Sequence, residues 1–207
     1  MSLPPPIVAL SPGSLSGERD LGRLRSALRV AVGAGLRGVL LREPRLSDRD
    51  LLQLIEHARE LLAEPGNWLA LHDRVHLAEQ VDAVHLGFRS LPLEQARACC
   101  RPSVSVGLST HAGDAPETWQ GADYRFLGPV FATPSKEGWV EPLGVEAFAS
   151  SARLGAHPVW AIGGIEPAHA PALRAAGASG VAVLRGILQS PDPAGAVRAY
   201  TEAWGSE

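Results

Sequence analysis

The sequence predicts an α/β protein, a single (β/α)8 TIM barrel running over residues 1–207. Eight short apolar runs recur at nearly regular intervals. Each is continuous rather than alternating, as strands buried on both faces require. Amphipathic segments separate most of them, which makes the strands parallel with right-handed crossovers. Eight such units close most economically into a barrel, here a compact one beside the ~250 residues usual for the class. An open doubly wound sheet is the competing architecture, but no G-x-G-x-x-G follows the first strand.

The elements follow in order. IVAL (7–10) is the first strand, and a helix is predicted over Arg19–Ala34. GVLLR (38–42) precedes the clearest helix, Ser47–Leu62, in which Ser47 or Asp48 is the N-cap. Its apolar stripe is Leu51, Leu54, Ile55, Ala58, Leu61 and Leu62, and Pro65-Gly66 stops it. WLALH (68–72) is followed only by a short helical piece, Val75–Gln80. AVHLG (83–87) leads into Leu91–Cys99, and VSVGLS (104–109) into another weak segment, Ala115–Gln120. YRFLGPV (124–130) precedes a helix at Val145–Leu154. After PVWAIGG (158–164), Pro167 and Pro171 cannot share one first turn, so the next helix starts late. GVAVL (180–184) and a helix at Pro193–Trp204 complete the series.

A net charge of -3 without basic or acidic runs excludes a polybasic surface for nucleic acid and favours a small soluble partner. No apolar stretch approaches the ~18 residues needed to span a bilayer, and MSLPPPIVAL lacks the pattern of a secretory leader, which together predict a cytoplasmic protein. Cys99 and Cys100 are adjacent, so neither a mutual disulfide nor a CxxC metal motif is expected, and buried helical thiols are. An exposed Trp68, Trp119, Trp139 or Trp204 would mark the interface of a homo-oligomer.

In a barrel the active site forms from the loops that follow the strands. Those positions collect Arg42 and Glu43, His72 and Asp73, Ser109, Thr110 and His111, Thr133, Ser135 and Lys136, Gly163 and Gly164, and Leu184 and Arg185. The Gly163-Gly164 pair lets backbone N–H groups approach an anion, with the start of the following helix adding its positive end, so a phosphate suits that corner. Lys136 is the one lysine among 19 basic residues, which points to a site where a compact ammonium does what a planar guanidinium does not. His85 lies inside a strand run and reads as a hydrogen-bonded core histidine. His57, His76, His157 and His169 belong to no constellation and are expected in solvent.

AVHLG followed by LP, GLSTH, GADYRFLGPVFATPSKEG, PVWAIGGI and AGASGVAVLRGI occur in this order over nearly the whole chain. The set resembles the thiamine phosphate synthase and TenI-like thiazole tautomerase superfamily. The resemblance implies a (β/α)8 barrel that binds a thiazole carrying an ethyl phosphate. Its synthases hold a pyrimidine diphosphate and magnesium through Q-L-R-E-K, N-D and acidic G-Q-E-D segments. This chain has Leu40-Leu41-Arg42-Glu43-Pro44, His72-Asp73 and Gly87-Phe88-Arg89-Ser90 there. Of the diphosphate and metal residues only Arg42, Glu43 and Asp73 persist, and a weakened, vestigial diphosphate subsite including His72 and Ser109 is expected.

The thiazole half is complete by the same resemblance, with Thr133, Ser135 and Lys136 about the ring and Gly163, Gly164, Leu184 and Arg185 at the phosphate. The resemblance further implies His111 as general acid/base, an imidazole being suited to moving protons near neutral pH. The leading expectation is therefore a cofactor-independent thiazole tautomerase. Two alternatives remain: a divergent thiamine phosphate synthase using Mg²⁺ with Asp73 and Arg42, and a non-catalytic barrel that binds a phosphorylated metabolite.

Overall fold

The structure, a computed structural model, describes residues 2–133, 141–155 and 157–205. Its strands are β1 (Ile7–Leu10), β2 (Gly38–Leu41), β3 (Trp68–His72), β4 (Ala83–Leu86), β5 (Ser105–Thr110), β6 (Tyr124–Leu127), β7 (Val159–Ile162) and β8 (Gly180–Val183). They pair in parallel in sequence order, and β8 closes on β1 through Ile7–Val181 and Val8–Ala182. The barrel expected from the sequence is the barrel observed.

Six α-helices lie among the described residues: α1 (Glu18–Gly33), α2 (Asp48–Leu61), α3 (Leu93–Ala98), α4 (Gly144–Ala152), α5 (Ala170–Ala175) and α6 (Pro193–Trp204). The connections after β3 and β5 carry only 3-10 turns, Val75–Gln80 and Pro116–Thr118, where the apolar pattern is weakest. Ser47 caps α2 by accepting from the Asp50 amide at 3.2 Å, and Asp192 caps α6 by accepting from the Gly195 amide at 2.9 Å. The helix after β7 does start late: a 3-10 turn at Pro167–His169 comes first, so the dipole of α5 does not reach the Gly163-Gly164 turn as expected.

The barrel interior is filled by alternating large and small residues. Trp68, Tyr124, Phe126 and Trp160 form an edge-to-face cluster, with Tyr124 5.8 Å from Trp68 and 5.9 Å from Trp160. Glycines opposite make the room: a Cβ on Gly107 would lie 2.1 Å from the Tyr124 ring, and one on Gly180 2.2 Å from the Trp160 indole nitrogen. The N-terminal segment closes the bottom, where Trp160 Nε1 donates to the Pro5 carbonyl (2.8 Å) and Ser105 Oγ to the Ser2 carbonyl (2.9 Å). The bulky layer below leaves the open space at the C-terminal ends of the strands.

Several expectations change. Trp68, Trp119 and Trp204 are all buried, so none marks an interface, and Trp139 lies outside the described residues. The cysteines are not buried within a helix, because α3 ends at Ala98; Cys99 caps it exposed, and Cys100 is half-buried. His169 is not loose in solvent but stacks on Phe131 at 3.8 Å and accepts from the Glu166 amide at 3.1 Å. Nor is His57 fully solvated, since its Nε2 is buried without a hydrogen-bond partner. No helix among the described residues is long and apolar enough to cross a membrane.

Candidate active site

A cavity of about 640 Å³ opens at the C-terminal ends of the strands. It has two dissimilar ends, joined by a polar floor on β4 and β5.

One end is built on the loops after β2, β3 and β4. The Arg42 amide donates to the buried Ser11 Oγ at 2.7 Å, fixing where β2 gives way to its loop. The Arg42 guanidinium packs over Gly13, where a Cβ would sit 2.5 Å from Nη1, so that close approach requires glycine. Glu43, in contrast, turns away. It is 4% exposed, and its two oxygens accept from the amides of Gly13 (2.8 Å) and Leu15 (3.0 Å), making it a strut for the β1 loop rather than part of the cavity wall.

After His72 the chain takes two successive left-handed residues, Asp73 (φ 56) and Arg74 (φ 50), each a costly conformation for a residue with a Cβ. Hydrogen bonds on both sides hold them. The Asp73 amide donates to the His85 carbonyl at 3.0 Å, and the Arg74 guanidinium pairs with Asp48 and donates to the Leu46 carbonyl at 3.0 Å. The turn delivers the Asp73 carboxylate to the cavity, 3.2 Å from His72 Nδ1. Burial, and to a smaller degree the Arg42 charge, press the His72 pKa down against the pull of Asp73. His72 is therefore largely neutral near pH 7.

On the floor, His85 is 1% exposed, with Nε2 2.9 Å from Ser109 Oγ and Nδ1 3.4 Å from the Tyr124 hydroxyl. Burial keeps its pKa well below the usual histidine value, with a smaller contribution from His72. The expected core histidine is thus a cavity residue as well, and it positions Ser109. His111 follows β5, its amide donating to Asp114 Oδ2 at 2.7 Å and its Nδ1 3.8 Å from the same oxygen.

The other end is made largely of backbone. Gly163 (φ 95) and Gly164 (φ 64) press against the loop after β6: a Cβ on Gly163 would meet Pro129 Cβ at 2.6 Å, and one on Gly164 the Ala132 carbonyl at 2.5 Å. The Phe131 amide donates to the Gly163 carbonyl at 3.0 Å. Arg185 Nη2 donates to Thr133 Oγ1 at 2.9 Å, joining the loops after β8 and β6, while Leu184 lines the wall beside it. From α6, the Tyr200 hydroxyl donates to the Ile165 carbonyl at 2.8 Å and fixes the segment beyond the glycines. Burial raises the Tyr200 pKa to about 12, so the phenol keeps its proton. Ser135 and Lys136 lie outside the described residues.

The structure thus gathers Arg42, His72, Asp73, Ser109, His111, Thr133, Gly163, Gly164, Leu184 and Arg185 around one cavity and leaves Glu43 behind it. It adds Arg89, Ser90 and Glu166. Their position in loops after strands was the available signal for them.

A closed parallel barrel whose strand ends surround a cavity with glycine turns at one end and guanidinium groups at both is an enzyme framework for small phosphorylated molecules. The chain belongs to the thiamine monophosphate synthase family, whose model matches residues 13–187. Thiamine-phosphate synthase of Laribacter hongkongensis is 38% identical over 92% of this chain and 90% of its own length. That of Thermobifida fusca is 38% identical over 84% and 82%. Among solved structures, thiamine phosphate pyrophosphorylase from Pyrococcus furiosus superposes with a TM-score of 0.82 at 25% identity, covering 96% of this chain and 94% of that one.

These relatives overturn the leading expectation of a thiazole tautomerase, since their names are those of the alternative, the synthase. The reason lies in how that expectation arose. It weighed motif residues missing after β2, β3 and β4, yet the cavity end they would form is still polar and cationic, with Arg42, Asp73, Arg89 and Ser90. It also leaned on His111, whose S-T-H segment both branches of the superfamily carry.

Proposed function

We propose that this protein is a thiamine-phosphate synthase, a transferase of thiamine biosynthesis. It joins a pyrimidine carried as its diphosphate to a thiazole phosphate and releases pyrophosphate. One observation carries the reading: a single cavity has two separate ends, a glycine turn with Arg185 at one and Arg42 with Arg89 at the other, and the reaction has two phosphorylated reactants. Relatives bearing the same name support it.

The thiazole phosphate occupies the glycine end. Its oxygens take N–H groups of the Gly163-Gly164 turn and the loop of Leu184 and Arg185, with the Arg185 guanidinium held beside them by Thr133. Ser135 and Lys136, which follow Thr133 in the sequence, are assigned to the thiazole by the family resemblance. The pyrimidine diphosphate takes the other end, and its ring lies over Ser109, whose hydroxyl His85 orients. The bond from the pyrimidine methylene carbon to the diphosphate oxygen breaks with its electron pair going to oxygen, while the thiazole nitrogen donates the pair of the new C–N bond. Negative charge grows on the leaving diphosphate, where the Arg42 guanidinium stabilises it. Holding both reactants in line supplies the rest of the rate enhancement. The step moves no proton at the ring, so His111 binds and orients.

Magnesium fits this end in a restricted way. No group of three or more metal-ligating side chains exists among the described residues, but Mg²⁺ is commonly held by one or two carboxylates together with substrate phosphates. Asp73 is the carboxylate that would hold it, and a bound ion would add charge neutralisation at the diphosphate.

Incubation with pyrimidine diphosphate, thiazole phosphate and Mg²⁺ tests the reading. Stoichiometric pyrophosphate and thiamine phosphate, lost in Gly164→Val, are the expected result; absence of the coupled product refutes it.

A further inference from the structure

The loop after β4 takes no part in the transfer step assigned to Arg42, Asp73 and Ser109. Residues 87–90 form a tight turn, the Gly87 amide donating to Ser90 Oγ at 2.6 Å and the Ser90 amide to the Gly87 carbonyl at 3.1 Å. The turn sits hard against His72, whose Nε2 would lie 3.1 Å from a Cβ on Gly87. At its tip Phe88 is 78% exposed, far more than any other large apolar side chain described, and yet it lines the cavity. The Arg89 guanidinium lies 5.2 Å from the centre of the Phe88 ring, so the aromatic face restrains the charge at the cavity rim.

The charges at this end do not cancel. Arg42 and Arg89 both line it, and among the described residues neither guanidinium has a carboxylate within ion-pair distance. Glu43 cannot serve, because two backbone amides occupy its oxygens. Asp73 is engaged with His72, which burial and Arg42 keep mostly neutral. Two cations thus face one carboxylate. That excess suits a polyanion with several oxygens, which planar guanidinium groups grip two at a time. A grip through metal alone would rest, among the described residues, on the single Asp73 carboxylate.

We propose that Arg89, together with Arg42, binds the diphosphate of the second reactant directly, so that this end of the cavity takes inorganic pyrophosphate without a metal ion. The proposal deepens the synthase reading and rests on it for the identity of the reactant. In the reaction, Arg89 supplies at the leaving group part of the positive charge that a metal ion held by a fuller set of carboxylates would otherwise bring.

Calorimetric titration of the full-length protein with sodium pyrophosphate in the presence of EDTA is the test. Metal-free binding is expected, weakened about tenfold in Arg89→Ala by loss of one charge-assisted contact, partly restored in Arg89→Lys, and abolished in Arg89→Asp. Because Arg89 is exposed, all three variants should melt with the parent protein, which separates binding from folding. Binding that requires Mg²⁺ in the parent protein, or an Arg89→Ala affinity equal to the parent's, overturns the proposal. The two readings fail separately. Metal-free, Arg89-dependent pyrophosphate binding in a protein that makes no thiamine phosphate sinks only the synthase assignment. Synthesis indifferent to Arg89→Ala, with pyrophosphate binding only alongside Mg²⁺, sinks only the role of Arg89.

Discussion

The two ends of the cavity are made of different material. At the β7–β8 end the proposed phosphate subsite is largely main chain, and the turn exists only because Gly163 and Gly164 adopt positive φ while touching the loop after β6. At the β2–β4 end the groups are side chains set on a strained Asp73-Arg74 turn and a tight turn at residues 87–90. A backbone-built subsite admits few substitutions, since any Cβ collides. A side-chain-built one keeps its charge and shape through many exchanges, provided cations still face the anion. This is why the first end reads clearly as a motif, whereas the second reads as dismantled although its cavity remains lined with polar and cationic groups.

The largest effect should come from breaking the backbone end. Gly164→Ala forces a left-handed alanine and places its Cβ 2.5 Å from the Ala132 carbonyl, at a cost of about 2 kcal/mol or more. Chemical denaturation should show that loss, and thiazole phosphate binding should collapse while metal-free pyrophosphate binding by the folded fraction is kept. If both ligands are lost together in the folded fraction, the ends are not independent.

Acid should produce a gradual effect rather than a collapse, arising from the floor. The folded pKa of His85 is depressed far below its unfolded value near 6.5, and that of His72 is depressed as well. Between those values the unfolded chain binds more protons than the folded one. Their contribution to stability is therefore complete above pH 6.5 and lost as pH falls through the window down to the folded pKa, by up to about 1.4 kcal/mol per pH unit for each histidine. Melting curves from pH 7.5 to 5 should fall accordingly, and His85→Gln should flatten the slope. An unchanged slope would mean that the floor opens to water more readily than its burial implies.

The smallest effect is expected at Lys136. Lys136→Arg keeps the charge but changes its shape, so a modest rise in the Michaelis constant for thiazole phosphate, with no change for pyrimidine diphosphate, would tie it to the thiazole end. Identical constants for both substrates would reduce the lone lysine to a matter of composition.

Much of the molecule was legible in advance where a local rule governs it. The continuous apolar runs gave strands within a residue or two of their observed bounds for β1 to β5, and Val75–Gln80 and Pro193–Trp204 are the segments expected. Gly163 and Gly164 were legible as a turn that only glycine makes easily, and the structure shows both at positive φ against the loop after β6. Glu43 was not, because a carboxylate after a strand looks the same whether it faces a substrate or two amides of a neighbouring loop. Arg89 and Ser90 looked like losses when compared with a motif, and only their place on the cavity wall shows what they contribute. The tryptophans misled for a related reason: a large aromatic serves an interface or a core equally well, and Trp68, Trp119 and Trp204 all serve the core.

By itself the sequence determined the closed parallel barrel, the face that carries the chemistry and the glycine turn, because buried strands and positive φ leave their mark on residues adjacent in the chain. Tertiary structure alone decided which loop side chains share the cavity, which serve as struts, and that its second end holds more positive than negative charge. Those outcomes depend on distances between residues tens of positions apart, which no local pattern encodes.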